Sequence, residues 1–126
     1  MDFAGENLRK KCELEARTRR FAVAMFKLLS KLPVDVSTRV IAFQVGRSAS
    51  SIGANYHEAN RAESRADFAH KLSIVLKETS ETGYWIAVLS DLYPEMEGLK
   101  QLQLEVEELM RLFQSSMRTL RTNRKS

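Results

Sequence analysis

Cysteine is all but missing from this 126-residue chain, which has only Cys12. A lone thiol excludes an intramolecular disulfide framework and a cysteine-rich zinc site. The 5 glycines and 2 prolines are too few turn-formers for a sandwich or barrel of many short strands. Histidine occurs only at 57 and 70. No apolar run approaches the roughly 18–20 residues that a membrane span requires. The opening MDFAGENLRKK puts no hydrophobic stretch behind its charges, unlike a secretory leader. There is no glycine-rich phosphate loop and no GxGxxG. These absences leave an expectation of a cytoplasmic chain forming one domain over residues 1–126.

What is present fits a globular protein: 44% hydrophobic and 29% charged residues exclude wholesale disorder. The net charge is +4 and the sequence pI about 9.4. The excess is unevenly placed. Residues 1–33 hold eight basic and four acidic side chains, net +4, whereas residues 63–94 hold three and five, net −2. Two basic clusters stand out: Arg9, Lys10, Lys11, Arg17, Arg19 and Arg20, then Arg118, Arg121, Arg124 and Lys125. Such clusters either bind phosphate backbones or form solvated helix faces.

Hydrophobic periodicity predicts four long helices. The first covers about 6–32, with Leu14, Phe21, Met25, Leu28 and Leu32 on one face, and Pro33 ends it. The second covers about 37–62, with Ser37 as its N-cap. Ala42, Gly46, Ala49 and Gly53 form a small-residue stripe there, which calls for close packing, either inside the bundle or between subunits. The third covers about 64–92, with Ser64 and Asp67 approximating a capping box. Its apolar face is wider than one core requires around Tyr84 and Trp85, which points to self-association. The fourth starts at Pro94 or Leu99 and runs to Leu120, on an uninterrupted stripe from Leu99 through Val106 and Phe113 to Leu120. Residues 121–126 read as a fraying basic tail. Short connections between long helices give an all-α, antiparallel up-down-up-down four-helix bundle.

Chemistry is harder to find. A di-iron bundle uses two Glu-x-x-His pairs, and this chain has none; Asp67-x-x-His70 and His57-Glu58 are partial matches only. Cys12 has no evident base partner. No catalytic residue, metal or cofactor is expected. One polar constellation lies on the second and third helices: Arg47, Ser51, Asn55, Glu58, Arg61, Lys71, Glu78 and Glu81. With a turn near residue 63, antiparallel pairing sets Arg47 level with Thr79 and Asn55 level with Lys71. Such charges either fix helix register or line a polar groove.

The segment RSASSIGANYHEANRAESRADFAHKLSIVLKETSETGYWIAVL resembles the small bacterial four-helix-bundle proteins encoded in 23S rRNA intervening sequences. The features that carry the resemblance are Arg47, the run from Ser51 to Asn55, Glu58-Ala59, Ser64, Asp67-Phe68, Lys71-Leu72, Lys77-Glu78, Glu81 and Trp85. The resemblance spans about 20–112 and is sharpest over 47–89. It implies a non-enzymatic bundle assembling as a ring, usually a homopentamer. It also implies kinship with the accessory proteins of diversity-generating retroelements. Gly46, Gly53, Tyr84 and Trp85 then become candidate interface residues.

Two functions follow as expectations. The first is an oligomer binding RNA or DNA through the two basic clusters, by backbone charge, since few exposed aromatics are foreseen. The second is a scaffold ring that docks a partner enzyme or ribonucleoprotein component.

Overall fold

The computed structural model describes residues 8–125, with side chains through residue 122. Four helices follow one another: α1 Leu8–Leu29, α2 Val36–Ala59, α3 Arg65–Leu92 and α4 Leu99–Lys125. There is no strand among the described residues. Sequential neighbours pack against each other and α1 closes onto α4, the thinnest of the four seams; the diagonal pairs meet through large side chains, Tyr56 with Phe113 and Lys11 with Phe68, and not through close backbone approach. The architecture is the up-down-up-down bundle that the periodicity predicts.

The predicted stripes form the core. Phe21, Met25 and Leu28 of α1 are buried, as are Val45, Ile52 and Tyr56 of α2. From α3 come Phe68, Leu72, Val75, Ile86 and Leu89, and from α4 come Leu102, Val106, Leu109 and Phe113. The hydroxyls carried inside are satisfied locally. Thr82 Oγ1 donates to the Glu78 carbonyl at 2.8 Å and contacts Ser48 Oγ of α2 at 2.9 Å. Thr79 donates to the Val75 carbonyl at 2.7 Å. Buried hydroxyls satisfied this way cost little.

The helix ends correct the sequence reading in three places. The N-cap of α2 is Asp35, not Ser37. Asp35 Oδ1 accepts from the Thr38 N–H at 2.9 Å, and Thr38 Oγ1 accepts from the Asp35 N–H at 3.1 Å, a reciprocal box that Ser37 has no partner to build. These bonds hold the Asp35 carboxyl below its usual range. Pro94 lies in a turn, and α4 begins at Leu99, directly after Gly98 at φ 96°, the left-handed conformation that glycine tolerates. α4 also continues to Lys125 where fraying was expected from 121. Its last turns are anchored by buried Leu120 and by Arg65, whose Nη1 donates to the Leu120 carbonyl at 3.1 Å. The third helix keeps its predicted cap: Ser64 Oγ accepts from the Asp67 N–H at 3.1 Å.

Candidate nucleic-acid interface

Antiparallel topology puts the first turns of α1 and the last turns of α4 at one end of the bundle. Two basic clusters about a hundred residues apart in sequence therefore share that end. Their members differ in availability. Arg118 and Arg121 are exposed and make no ion pair, and Arg19 and Arg20 in mid-α1 are likewise free. Arg9 is exposed but bonded to Glu13 at 3.2 Å. Lys10 is exposed. The Arg124 and Lys125 side chains lie outside the described residues.

Two members leave the surface set. Lys11 is 5% exposed, and its ammonium lies 5.4 Å from the Phe68 ring centroid, a buried cation–π contact rather than a phosphate contact. Arg17 spans the α1–α4 seam: Nε and Nη2 donate to the two Glu105 carboxylate oxygens, both at 2.7 Å. The Glu105 hydrogen bond outweighs desolvation and raises the Arg17 pKa. That guanidinium is committed to holding α1 onto α4.

The polar constellation on α2 and α3 forms only in part. Arg47 Nη1 donates to Glu78 at 3.0 Å and Nη2 to Glu81 at 2.5 Å, close to the predicted level. Glu81 also accepts from Trp85 Nε1 at 3.4 Å. The other predicted members do not converge. Asn55 donates to the Ser51 carbonyl at 2.8 Å, and Ser51 in turn donates to the Arg47 carbonyl at 2.7 Å. Lys71 pairs with Asp67 on its own helix at 3.1 Å, and Glu58 is exposed without an ion pair. Arg47 thus fixes α2 against α3, while Asn55, Lys71 and Glu58 are held apart in separate contacts or exposed.

A second polar knot was not foreseen. Glu15 of α1 receives Asn60 Nδ2 at 2.9 Å and Arg61 Nη1 at 3.1 Å, and its other oxygen lies 3.0 Å from His57 Nδ1. Asn60 Oδ1 is buried there without a partner. Beside the knot runs an open groove of about 240 Å³ between α1 and α2, floored by Thr18 and Gly53 and walled by Arg19 and Ser50. Burial raises the Glu15 carboxyl, but the hydrogen bonds from Asn60, Arg61 and His57 together outweigh it and hold it below the usual carboxylate range.

That depression has a sign. A carboxyl held below its unfolded value stabilises the fold above that value, and the contribution is lost as pH falls through the lower folded one. Glu15→Gln is therefore expected to be less stable than the parent near neutral pH. The gap should close as pH falls through the lowered carboxyl value. Urea unfolding at neutral and at acid pH checks this, and a gap independent of pH would remove the carboxylate from the argument.

The glycine stripe faces inward to α1. A Cβ on Gly53 would lie 3.0 Å from Thr18 Oγ1, and one on Gly46 3.1 Å from Phe26 Cε1. Packing within one chain thus accounts for both small residues. Tyr84 points outward, 62% exposed, and Trp85 is half-buried with its ring centroid 5.1 Å from that of Tyr84. Phe26 and Phe43 are also more than half exposed, contrary to the expectation of few surface aromatics.

Among the described residues no group of three or more His, Cys, Asp or Glu side chains is arranged to hold a metal ion. No described helix is long and apolar enough to cross a membrane.

Comparison with known proteins adds the following. A family model described as 23S rRNA-intervening sequence protein matches residues 10–115. The chain is also similar to a crystal structure of a protein with unknown function from the S23 ribosomal protein family of Bacteroides thetaiotaomicron. The identity is 35%, with 86% of this chain and 98% of that one covered, at a TM-score of 0.78. No curated protein matches the chain.

Proposed function

The chain belongs to the 23S rRNA-intervening sequence protein family, and we propose that it acts without catalysis, as a self-associating bundle whose basic end holds the phosphate backbone of RNA or DNA. The observation that carries this reading is the convergence of the two basic clusters at one end, with Arg118 and Arg121 exposed and unpaired. Self-association into a ring would repeat that end by symmetry and multiply the local positive potential. Each phosphate neutralised releases counterions, so affinity falls steeply with salt.

The test is fluorescence anisotropy of labelled structured RNA and duplex DNA on nuclease-treated protein at low and physiological salt. The parent should bind at low salt and lose affinity as salt rises. Arg118→Glu combined with Arg121→Glu should weaken binding by roughly tenfold or more across sequences and flatten the salt dependence by about one phosphate per arginine. Absence of binding at low salt would refute the reading. Unchanged binding in the double variant would move the contact elsewhere on the molecule.

A second reading, a scaffold that docks a partner protein, is favoured by a different observation. Phe26, Val36, Val40 and Phe43 expose a contiguous apolar surface on α1 and α2, which is uncommon on a monomer with no partner.

A further inference from the structure

The outward flank of α1 carries charge of one sign over most of its length. From residue 16 to residue 34 the chain has five basic side chains, Arg17, Arg19, Arg20, Lys27 and Lys31, and no acidic one. Arg17 is bound to Glu105 and marks the edge that α1 presents to α4. Phe26, whose ring overlies Gly46, marks the edge that it presents to α2. Between these edges Arg9, Ala16, Arg20, Lys27 and Lys31 recur at alternating spacings of seven and four, one stripe of a helix. Arg20, Lys27 and Lys31 are exposed and make no ion pair.

The neighbouring acids do not cancel this stripe. Glu13 is bonded to Arg9, Glu105 to Arg17 and Glu108 to Arg111. Glu95 and Glu97 belong to the loop that meets the far end of α1, where a Cβ on Gly98 would lie 3.4 Å from Leu28 Cδ1, and they bound the stripe there. The relief of the flank is low. Ala16 and Ala24 lie between the cations, and a shallow hollow of about 290 Å³ opens among Arg20, Ala24 and Lys27. From Arg9 to Lys31 the stripe runs for roughly 33 Å along the helix axis.

We propose that this flank is a phosphate track for double-stranded nucleic acid, laid along α1 and continuous with the basic end. This rests on the nucleic-acid reading above and names the form of nucleic acid and the surface that holds it. Two features select a duplex. Single strands are held by aromatic side chains on which bases stack, and the stripe has none, since Phe26 turns toward α2. Along the axis Arg20 stands roughly 16 Å from Arg9 and roughly 10 Å from Lys27, the scale of the grooves that separate the two backbones of a duplex. The length of the stripe matches about ten base pairs, one duplex turn. Long cationic side chains on a low surface meet the backbone and not the base edges, so the contact is blind to sequence.

The experiment is fluorescence anisotropy on the nuclease-treated full chain, from low salt to about 0.1 M, where charges more than about 10 Å apart are screened. The probe is a labelled strand of about 12 nucleotides, alone and annealed to its complement, as RNA and as DNA. At least one duplex should bind about tenfold or more tightly than its single strand. Arg20→Glu with Lys27→Glu should weaken duplex binding by about tenfold or more and lower the salt dependence by about two phosphates. Lys77→Glu with Lys100→Glu, exposed cations of α3 and α4, removes the same charge and should leave the affinity at about 0.1 M salt within about threefold. Circular dichroism confirms helicity, and Arg20→Gln with Lys27→Gln takes the place of the reversal if that variant unfolds. Single strands that bind as tightly as both duplexes overturn the duplex assignment. Equal losses in the two double variants show that net charge is read and not this flank, and they overturn the inference. So does duplex binding that Arg20→Glu with Lys27→Glu leaves unchanged; the reading above then stands if Arg118→Glu with Arg121→Glu still weakens it. A parent that binds neither form at low salt overturns the reading and the inference together.

Discussion

Phe113→Ala is expected to lower the unfolding free energy by about 3–5 kcal/mol and the melting temperature by on the order of 10–20 °C. Phe113 has no exposed surface and sits where α4 meets α2. Its ring centroid lies 5.2 Å from that of Tyr56, tilted by 45°. Tyr56, Phe68 and Phe113 are the largest side chains fully enclosed. Deleting one ring removes its transfer free energy and leaves a void, because the facing residues belong to four helices that cannot all move inward together. Urea unfolding at one fixed protein concentration measures the loss, since association itself adds stability by mass action. Leu104→Ala on the same helix is the comparison: Leu104 is 55% exposed, and its removal should change stability by less than about 0.5 kcal/mol. A loss below about 1 kcal/mol at Phe113 would mean that the core closes around the gap more readily than long helices allow.

The legibility of this fold follows from where its information is stored. The α4 stripe from Leu99 to Leu120 repeats on one face, and all of it is buried, so periodicity alone located both the helix and its inner side. Helix ends are set by single hydrogen bonds, and there the sequence was ambiguous. Both Ser37 and Asp35 are cap-forming types; what selects Asp35 is the return bond from Thr38, which depends on the chain's path after Pro33. The extent of α4 was misjudged for a related reason: a basic, polar tail reads as loose until Arg65 is seen to reach across from α3.

The polar contacts divide the same way. Arg47 with Glu78 and Glu81 was within reach of sequence because the short α2–α3 turn fixes the register of two antiparallel helices. The same reasoning about the Pro33 turn sets Glu15 level with about residue 51, well short of the His57, Asn60 and Arg61 that it meets. The knot was missed because that offset depends on the path of residues 30–35, and because Arg61 was grouped with Arg47 and Glu78 in the constellation on α2 and α3. Lys11 could not be placed from sequence: a lysine two residues into a basic run gives no sign that its stem dives over Phe68. The exposed Phe43 and Val40 were hidden by the opposite effect. On α2 apolar residues occupy both faces, so its pattern announces a buried helix without saying that the bundle covers only one side.

Gly53→Ala and Gly83→Ala, both in helix interiors, are expected to act with opposite signs, separated by about 2–3 kcal/mol. Alanine is favoured over glycine in a helix by about 1 kcal/mol, so the surroundings decide the outcome. At Gly83 the new methyl would find Val106 Cγ1 at 3.9 Å, ordinary contact on the α3–α4 seam. The propensity gain should therefore be realised, and stability should rise by up to about 1 kcal/mol. At Gly53 the methyl would meet Thr18 Oγ1 at 3.0 Å and Thr18 Cβ at 3.2 Å. Thr18 cannot turn aside. It is fully buried, and its hydroxyl is held by the Leu14 and Glu15 carbonyls at 2.8 and 3.0 Å. Relief has to come from separating α1 from α2, which loosens the Glu15 knot one turn away. The overpacking cost of about 1–3 kcal/mol should exceed the propensity gain and leave a net loss. Gly46 tests the logic between these extremes. Its nearest neighbour is the rim of Phe26, 51% exposed and free to swing outward, so Gly46→Ala should be close to neutral. Equal stabilisation by alanine at all three positions would show that α1 sits loosely on α2 and that the close approach at Thr18 is not what holds them in register.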